Sequence, residues 1–178
     1  MKRTNLYLIT DIKGYSPQIG RLISMMNYVR WTTLDEVEDL TVQHLDYLHD
    51  ADSNSIGALL MHIAAVEASY QTSTFDVDGF ASFKRRDSEE LRIALDLGER
   101  SRRKIKGHAV GHYLRILKAV RSKTLEELAK RDDEWLDERT LFWDRRRANN
   151  YFKWFHVFED ELNHRGQIRW LRRRALDH

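Results

Sequence analysis

Three residues near the C-terminal end, His156, Asp160 and His164, recur at four-residue intervals, and Arg165-Gly166-Gln167 follows at once. They lie in a stretch from Asn150 to Leu171 that continues to about Arg173, holds no proline and reads as a helix. Residues four apart stack on one helix face. Asp160 and His164 can therefore share one metal ion, as the two histidines of an HExxH motif do. His156 and His164 are separated by ~12 Å along the axis at 1.5 Å per residue, so the helix supplies a pair of ligands, and a third must come from elsewhere. His156 could instead pair with Asp160; the reading preferred here places it beside the ligands rather than among them.

On a helical wheel, His156, Asp160, His164, Ile168 and Leu171 form one stripe, with Val157 at its edge. Phe152, Phe155, Phe158, Leu162, Gly166 and Trp170 form a second. A helix with two such faces asks to be covered on two sides.

The elements that must position these residues can be read from the rest of the chain. Residues 5–12 are short and apolar, read as an extended lead-in. Ser16-Pro17 makes a good helix start, and the periodicity from Ile19 predicts a first helix to about Leu40. Residues 41–54 are polar and turn-like. A second helix follows from about Ser53 to Thr72, with His62 in a stripe of small and apolar residues (Ser55, Ala58, Leu59, Ala65, Val66, Ser69) that leaves room for an imidazole and something bound to it. Asp87 and Glu90 fit a capping box opening a short helix that ends near Gly98. A third long helix follows Gly107, with Val110, Tyr113, Leu114, Leu117, Val120, Thr124, Leu125 and Leu128 as its buried stripe. Residues 131–148, which carry Trp135 and Trp143, read as a long charged connection into the last helix.

Four long amphipathic helices with long crossovers predict an all-α four-helix bundle, in which metal sites are built from side chains on facing helices. His62, Asp160 and His164 are the natural set.

Composition bounds the function. The 178 residues favour one domain spanning 1–178. Absence of cysteine excludes a disulfide framework, a zinc finger and a cysteine nucleophile. A net charge of +2 does not by itself argue for nucleic acid. The basic runs Arg145–Arg147, Arg172–Arg174 and Arg100–Lys106 read as solvated faces balanced by acidic residues. No apolar run of about 18 residues predicts a membrane span, and the N-terminus makes a poor signal peptide. A cytoplasmic protein is expected. His108 and His112 are also four apart but fall opposite the buried stripe of their helix and read as solvated; His44, His49 and His178 show no ligand spacing.

Two stretches carry a family resemblance. Asn54-Ser-Ile-Gly-Ala-Leu-Leu-Met-His62-Ile-Ala-Ala-Val-Glu67 resembles the second-helix signature of the DinB/YfiT-like superfamily, and His156-x3-Asp160-x3-His164-Arg-Gly-Gln167 its fourth-helix signature. The resemblance implies a four-helix bundle, commonly dimeric, with a metal held by one histidine of the second helix and two of the fourth. Carried over, these fall on His62, position 160 and His164, with aspartate here at 160. Relatives include low-molecular-weight thiol S-transferases and a mycothiol-dependent maleylpyruvate isomerase, so the resemblance also implies a small thiol as partner.

The first functional reading is therefore a divalent-metal-dependent enzyme, with zinc, nickel, manganese or iron on His62, Asp160 and His164. It would perform thiol transfer or metal-assisted hydrolysis. The alternative is a non-catalytic metal- or ligand-binding bundle of the stress-protein kind, and a pocket on the open side of the site discriminates the two. Glu67, well round its helix from His62, reads as structural. Arg165 and Gln167 read as helix anchors. A homodimer is expected, to cover the second face of the last helix.

Overall fold

The computed structural model describes residues 6–76, 88–142 and 146–177. Its helices are α1 (Pro17–Asp35), α2 (Val42–Asp46), α3 (Ile56–Phe75), α4 (Glu89–Asp96), α5 (Gly98–Lys104), α6 (Val110–Leu128), α7 (Asp133–Asp137) and α8 (Asn150–Leu176). Between α7 and α8, strands β1 (Arg139–Leu141) and β2 (Arg147–Asn149) pair antiparallel, with Thr140 opposite Ala148. The fold is all-α, a bundle of the four long helices α1, α3, α6 and α8.

Helix α3 is the axis of the bundle. It packs against α4, α6 and α8, and every residue from Ile56 to Thr72 is buried. Small residues along it let neighbouring helices come close. A Cβ on Gly57 would stand 2.5 Å from the hydroxyl of the fully buried Tyr113. The Ser55 side chain caps α3 by accepting from the amide of Ala58.

Helix α1 starts at Pro17 as expected, but its cap comes from elsewhere. Asp133 of α7 accepts from the Ser16 hydroxyl at 2.5 Å and from the amides of Gln18 and Ile19 at 3.0 and 3.3 Å. That satisfies N–H groups a helix start leaves unpaired and fastens the 131–138 segment to the bundle. The helix ends at Asp35 rather than near Leu40. The amides of Val37 and Glu38 turn back onto the Leu34 carbonyl, which leaves Val37 and Leu40 buried in a turn. Residues 41–54 are not simply a turn. Thr41 and His44 form a reciprocal capping box and Leu45 is fully buried, so α2 forms between them.

The short helix before Gly98 ends at Asp96, and α5 begins at Gly98. Leu97, between them, has a left-handed φ of 53°. Ser88 caps α4 through the Leu91 amide; the expected Asp87 cap lies outside the described residues, as does Trp143. The 131–148 connection, read from sequence as irregular, holds α7 and the β1–β2 hairpin. The side chain of Asn149 caps α8 by accepting from the Phe152 amide.

The core has two apolar ends. One gathers Leu45, Ile56, Leu59, Leu60, Ile63, Tyr113, Leu117, Ile168 and Leu171. The other gathers Ile19, Leu22, Met26, Tyr70, Leu128, Trp154, Val157 and Phe158. Between them lies a buried layer of four charges, one from each long helix: Arg30, Glu67, Arg121 and Glu161. Arg30 donates to Glu161 at 2.8 and 3.1 Å and to Glu67 at 3.0 Å. Arg121 donates to Glu67 at 2.7 and 3.1 Å. Their spare donors reach the carbonyls of Leu117 and Met26, both at 3.1 Å. Thr124 donates to Glu67 at 2.7 Å and accepts from Gln71 at 2.8 Å. Two positive and two negative charges cancel, and nearly every donor is used, which is the condition for tolerating buried ions. This layer fixes the axial register of α8 against α1, α3 and α6. The Glu67 expectation of a structural role holds.

The helical wheel misjudged α8. Its buried face runs through Asn150, Lys153, Trp154, Val157, Phe158, Glu161, Ile168, Leu171 and Ala175. Lys153 and Glu161 disguise that face as polar. The second stripe splits: Phe158 is buried, whereas Phe152, Phe155 and Trp170 are exposed.

Candidate metal centre

The three expected residues meet. Asp160 sits next to Glu161, so the charge layer that holds Glu161 inward also sets the height of Asp160 opposite α3. His62 Nε2 lies 3.8 Å from Asp160 Oδ2, and His164 Nε2 lies 3.5 Å from Asp160 Oδ1. The two imidazoles meet edge to face with centroids 4.6 Å apart. One potential ligand atom from each residue lies within 4.8 Å of the other two.

His62 is held from behind. Its Nδ1 is 2.9 Å from the Ala94 carbonyl in the last turn of α4. A carbonyl only accepts, so Nδ1 carries the proton and the lone pair on Nε2 faces Asp160. This carbonyl–histidine arrangement orients metal-ligating imidazoles. Asp160 Oδ2 and His164 Nδ1 are buried without a hydrogen-bond partner among the described residues. Burial works against ionisation of Asp160. Hydrogen bonds and positive charge from His164 and His62, when these imidazoles are protonated, outweigh it and hold the carboxyl well below the usual carboxylate range.

These residues fit a divalent ion. Bonds of about 2.0–2.2 Å to one ion leave ligand atoms roughly 3 Å apart. One ligand atom from each residue, all within 4.8 Å of one another, reaches that spacing with closure of at most about 2 Å. The orphaned carboxylate oxygen has no hydrogen-bond partner among the described residues to give up. Two imidazoles and a carboxylate suit zinc, nickel, manganese or iron(II) and leave positions open.

The site has an open side. A pocket of about 560 Å³ is lined by His62 and Asp160 together with Val66, Tyr70, Leu95, Phe142, Lys153, His156 and the hydroxyls of Ser69 and Ser73. That volume is in the range of small-molecule sites. The Tyr70 hydroxyl is buried without a partner among the described residues. Burial, with the charges of Asp160 and Glu159 adding, raises its pKa. At neutral pH it is an O–H donor awaiting an acceptor.

A family model described as mycothiol-S-transferase matches residues 21–177. The chain belongs to this family, which is of the DinB/YfiT-like kind. A solved structure described as a conserved protein of a locus from Enterococcus faecalis is similar over 88% of this chain and 96% of that chain. Its TM-score is 0.65 at 14% identity, a likeness that shows the fold alone. No curated protein matches the chain.

The other singled-out residues fall outside the triad. His156 Nδ1 pairs with Glu159 at 2.8 Å, and its ring lies on the pocket wall near Tyr70 and Phe152. Arg165 donates to the Thr32 hydroxyl and so ties α8 to α1, as expected of an anchor. Gln167 is exposed. His108 and His112 are half-buried rather than solvated, stacked at 4.0 Å and set edge-on to Tyr113. Sequence reasoning missed Tyr70 and Lys153. Tyr70 is two helical turns from His62 on α3 and shares its pocket-facing side. Lys153 is seven residues before Asp160, which places both on one face of α8.

Proposed function

We propose that this family member is a metal-dependent thiol S-transferase whose ion is held by His62, Asp160 and His164. The observation that carries the reading is the pocket of about 560 Å³ opening on His62 and Asp160. A site meant only to hold a metal has no need of it, so the pocket supports the enzyme over the non-catalytic binder. A divalent ion there supplies Lewis acidity, lowering the pKa of a small thiol so that it reacts as thiolate at neutral pH.

The chain's own residues do the rest. The Ala94 carbonyl keeps the His62 lone pair aimed at the site. Asp160 stays ionised and offers a fixed negative charge. Val66, Leu95 and Phe142 hold the apolar body of the electrophile and exclude water, which strengthens polar contacts inside. The Tyr70 hydroxyl donates a hydrogen bond to an acceptor on the bound substrate. Thiol consumption with an electrophile such as monobromobimane, assayed with and without added zinc, nickel and manganese, tests the reaction. Elemental analysis of protein purified without added metal tests the ion. About one equivalent of divalent metal and metal-dependent conjugation are expected. A protein that takes up no metal from any of the three salts overturns the reading.

We also propose that a second copy of the chain covers the exposed Phe152–Phe155 face of α8. The two rings lie 6.3 Å apart and are both over two-fifths exposed, enough with Phe142 against Phe152 to make an apolar patch. A two-fold contact pairs such a patch with itself. Light scattering at micromolar concentration should give a dimer mass, reduced toward the monomer by Phe155→Glu. A monomeric parent protein, or a dimer indifferent to that charge, rejects this placement.

A further inference from the structure

One buried charge in the pocket is used neither by the metal site nor by the charge layer. Lys153 is 2% exposed and lines the pocket with His62 and Asp160. Its ammonium donates to the Thr140 hydroxyl of β1 and, weakly, to Asn150 Oδ1 at 3.5 Å. Both partners are neutral, and no carboxylate among the described residues pairs with it. An ammonium carries three donors, so at least one is left over. The group also sits in the first turn of α8, where the helix dipole is positive and favours anions. Burial alone shifts its pKa downward. A buried cation normally has a paired anion, and none of the described residues supplies one.

We propose that Lys153 is the anion subsite of this pocket and that the pocket takes a small organic carboxylate. The acid group sits on Lys153 and the apolar body lies along Val66, Leu95 and Phe142 toward the metal ligands. Seven residues at 1.5 Å each put Lys153 and Asp160 roughly 10 Å apart along one face of α8, the length of a short arylalkanoic acid. The inference rests on the pocket being the substrate site and deepens the functional reading by naming a substrate class. A purely structural lysine, tying the hairpin to α8, would serve Thr140 and Asn150 equally well but would confer no preference between ligands.

The test compares 4-phenylbutyrate with 4-phenylbutyramide, matched in shape and differing in charge. Both are titrated calorimetrically into the full-length protein as purified. A charge-assisted hydrogen bond predicts that the acid binds about 10- to 100-fold more tightly than the amide. Lys153→Met and Lys153→Gln should each abolish that preference, so that acid and amide bind alike, with far-ultraviolet circular dichroism unchanged. Equal binding of acid and amide by the parent protein overturns the proposal, as does failure of both to bind. So does an acid preference that survives in both variants, which would transfer the anion to Arg139, Arg146 and Arg147 around the adjacent groove. The same titration on His164→Ala separates this inference from the metal reading. An acid preference kept in a metal-free variant supports the subsite even if the transferase reading fails. Metal occupancy without acid preference leaves that reading standing and removes this one.

Discussion

Glu67→Ala should lower the unfolding free energy by about 3–5 kcal/mol, the cost of breaking a buried ion pair from one side. Glu67 is fully buried and serves Arg30, Arg121 and Thr124 at once. Removing it leaves two guanidinium groups with only Glu161 between them in a layer closed to water. Urea unfolding at neutral pH measures the loss; a change below about 1 kcal/mol would mean that the layer is better hydrated than its burial implies. Burial opposes ionisation of Glu67, but Arg121 and Arg30 overcome it and bring its pKa from 4.5 to about 2. A depressed carboxylate contributes stability fully present above its unfolded pKa and lost as pH falls through its folded one. Acid should therefore destabilise the parent protein between about pH 4.5 and 2. Glu67→Gln, already lacking the charge, should show a shallower decline over that window.

The same layer explains why some of the site was legible in the sequence and some was not. His62, Asp160 and His164 could be found because helix periodicity is local. One inward stripe on each of two long helices is enough to nominate ligands, and bundle geometry brings such stripes together. Their chemical types narrowed the choice further. The buried face of α8 was not legible, because Glu161 is polar by type and buried only through arginines on α1 and α6, and Lys153 is buried against Thr140 of β1 and Asn150. A wheel that scores side chains singly cannot see a charge neutralised from across the core. Consequently Phe152 and Phe155 were grouped with Phe158, although only Phe158 reaches the interior. Likewise the end of α1 at Asp35 and the formation of α2 depend on turn hydrogen bonds and on Leu45 reaching the core. The β1–β2 pairing is three residues long and exposed on β1, too short for any alternation to register. Lys153 and Tyr70 became functional candidates only when the pocket placed them beside Asp160.

His164→Ala should abolish stoichiometric metal binding while leaving the helical content intact. Structural zinc sites with four ligands are worth about 10–16 kcal/mol, so one ligand represents roughly 3 kcal/mol, or a hundredfold or more in affinity. With only His62 and Asp160 remaining, the ion has two protein ligands and no third residue in reach among the described residues. His156, the other histidine of the stripe, is turned to Glu159. The fold should not suffer, because His164 Nδ1 has no partner among the described residues and the register of α8 is set by Glu161. Three comparisons sharpen the outcome. His156→Ala should keep the metal. Asp160→His should keep it as well, by giving the two-plus-one histidine set that the family resemblance implies. Acidification should release it from the parent protein, since both imidazoles must be neutral to ligate, whereas Asp160, its pKa held low, remains ionised and is not the group that lets go. Metal occupancy by inductively coupled plasma analysis after dialysis, with circular dichroism on the same samples, reads all four. Full occupancy in His164→Ala would remove this residue from the ligand set, and loss of metal in His156→Ala would put the centre one turn nearer the start of α8.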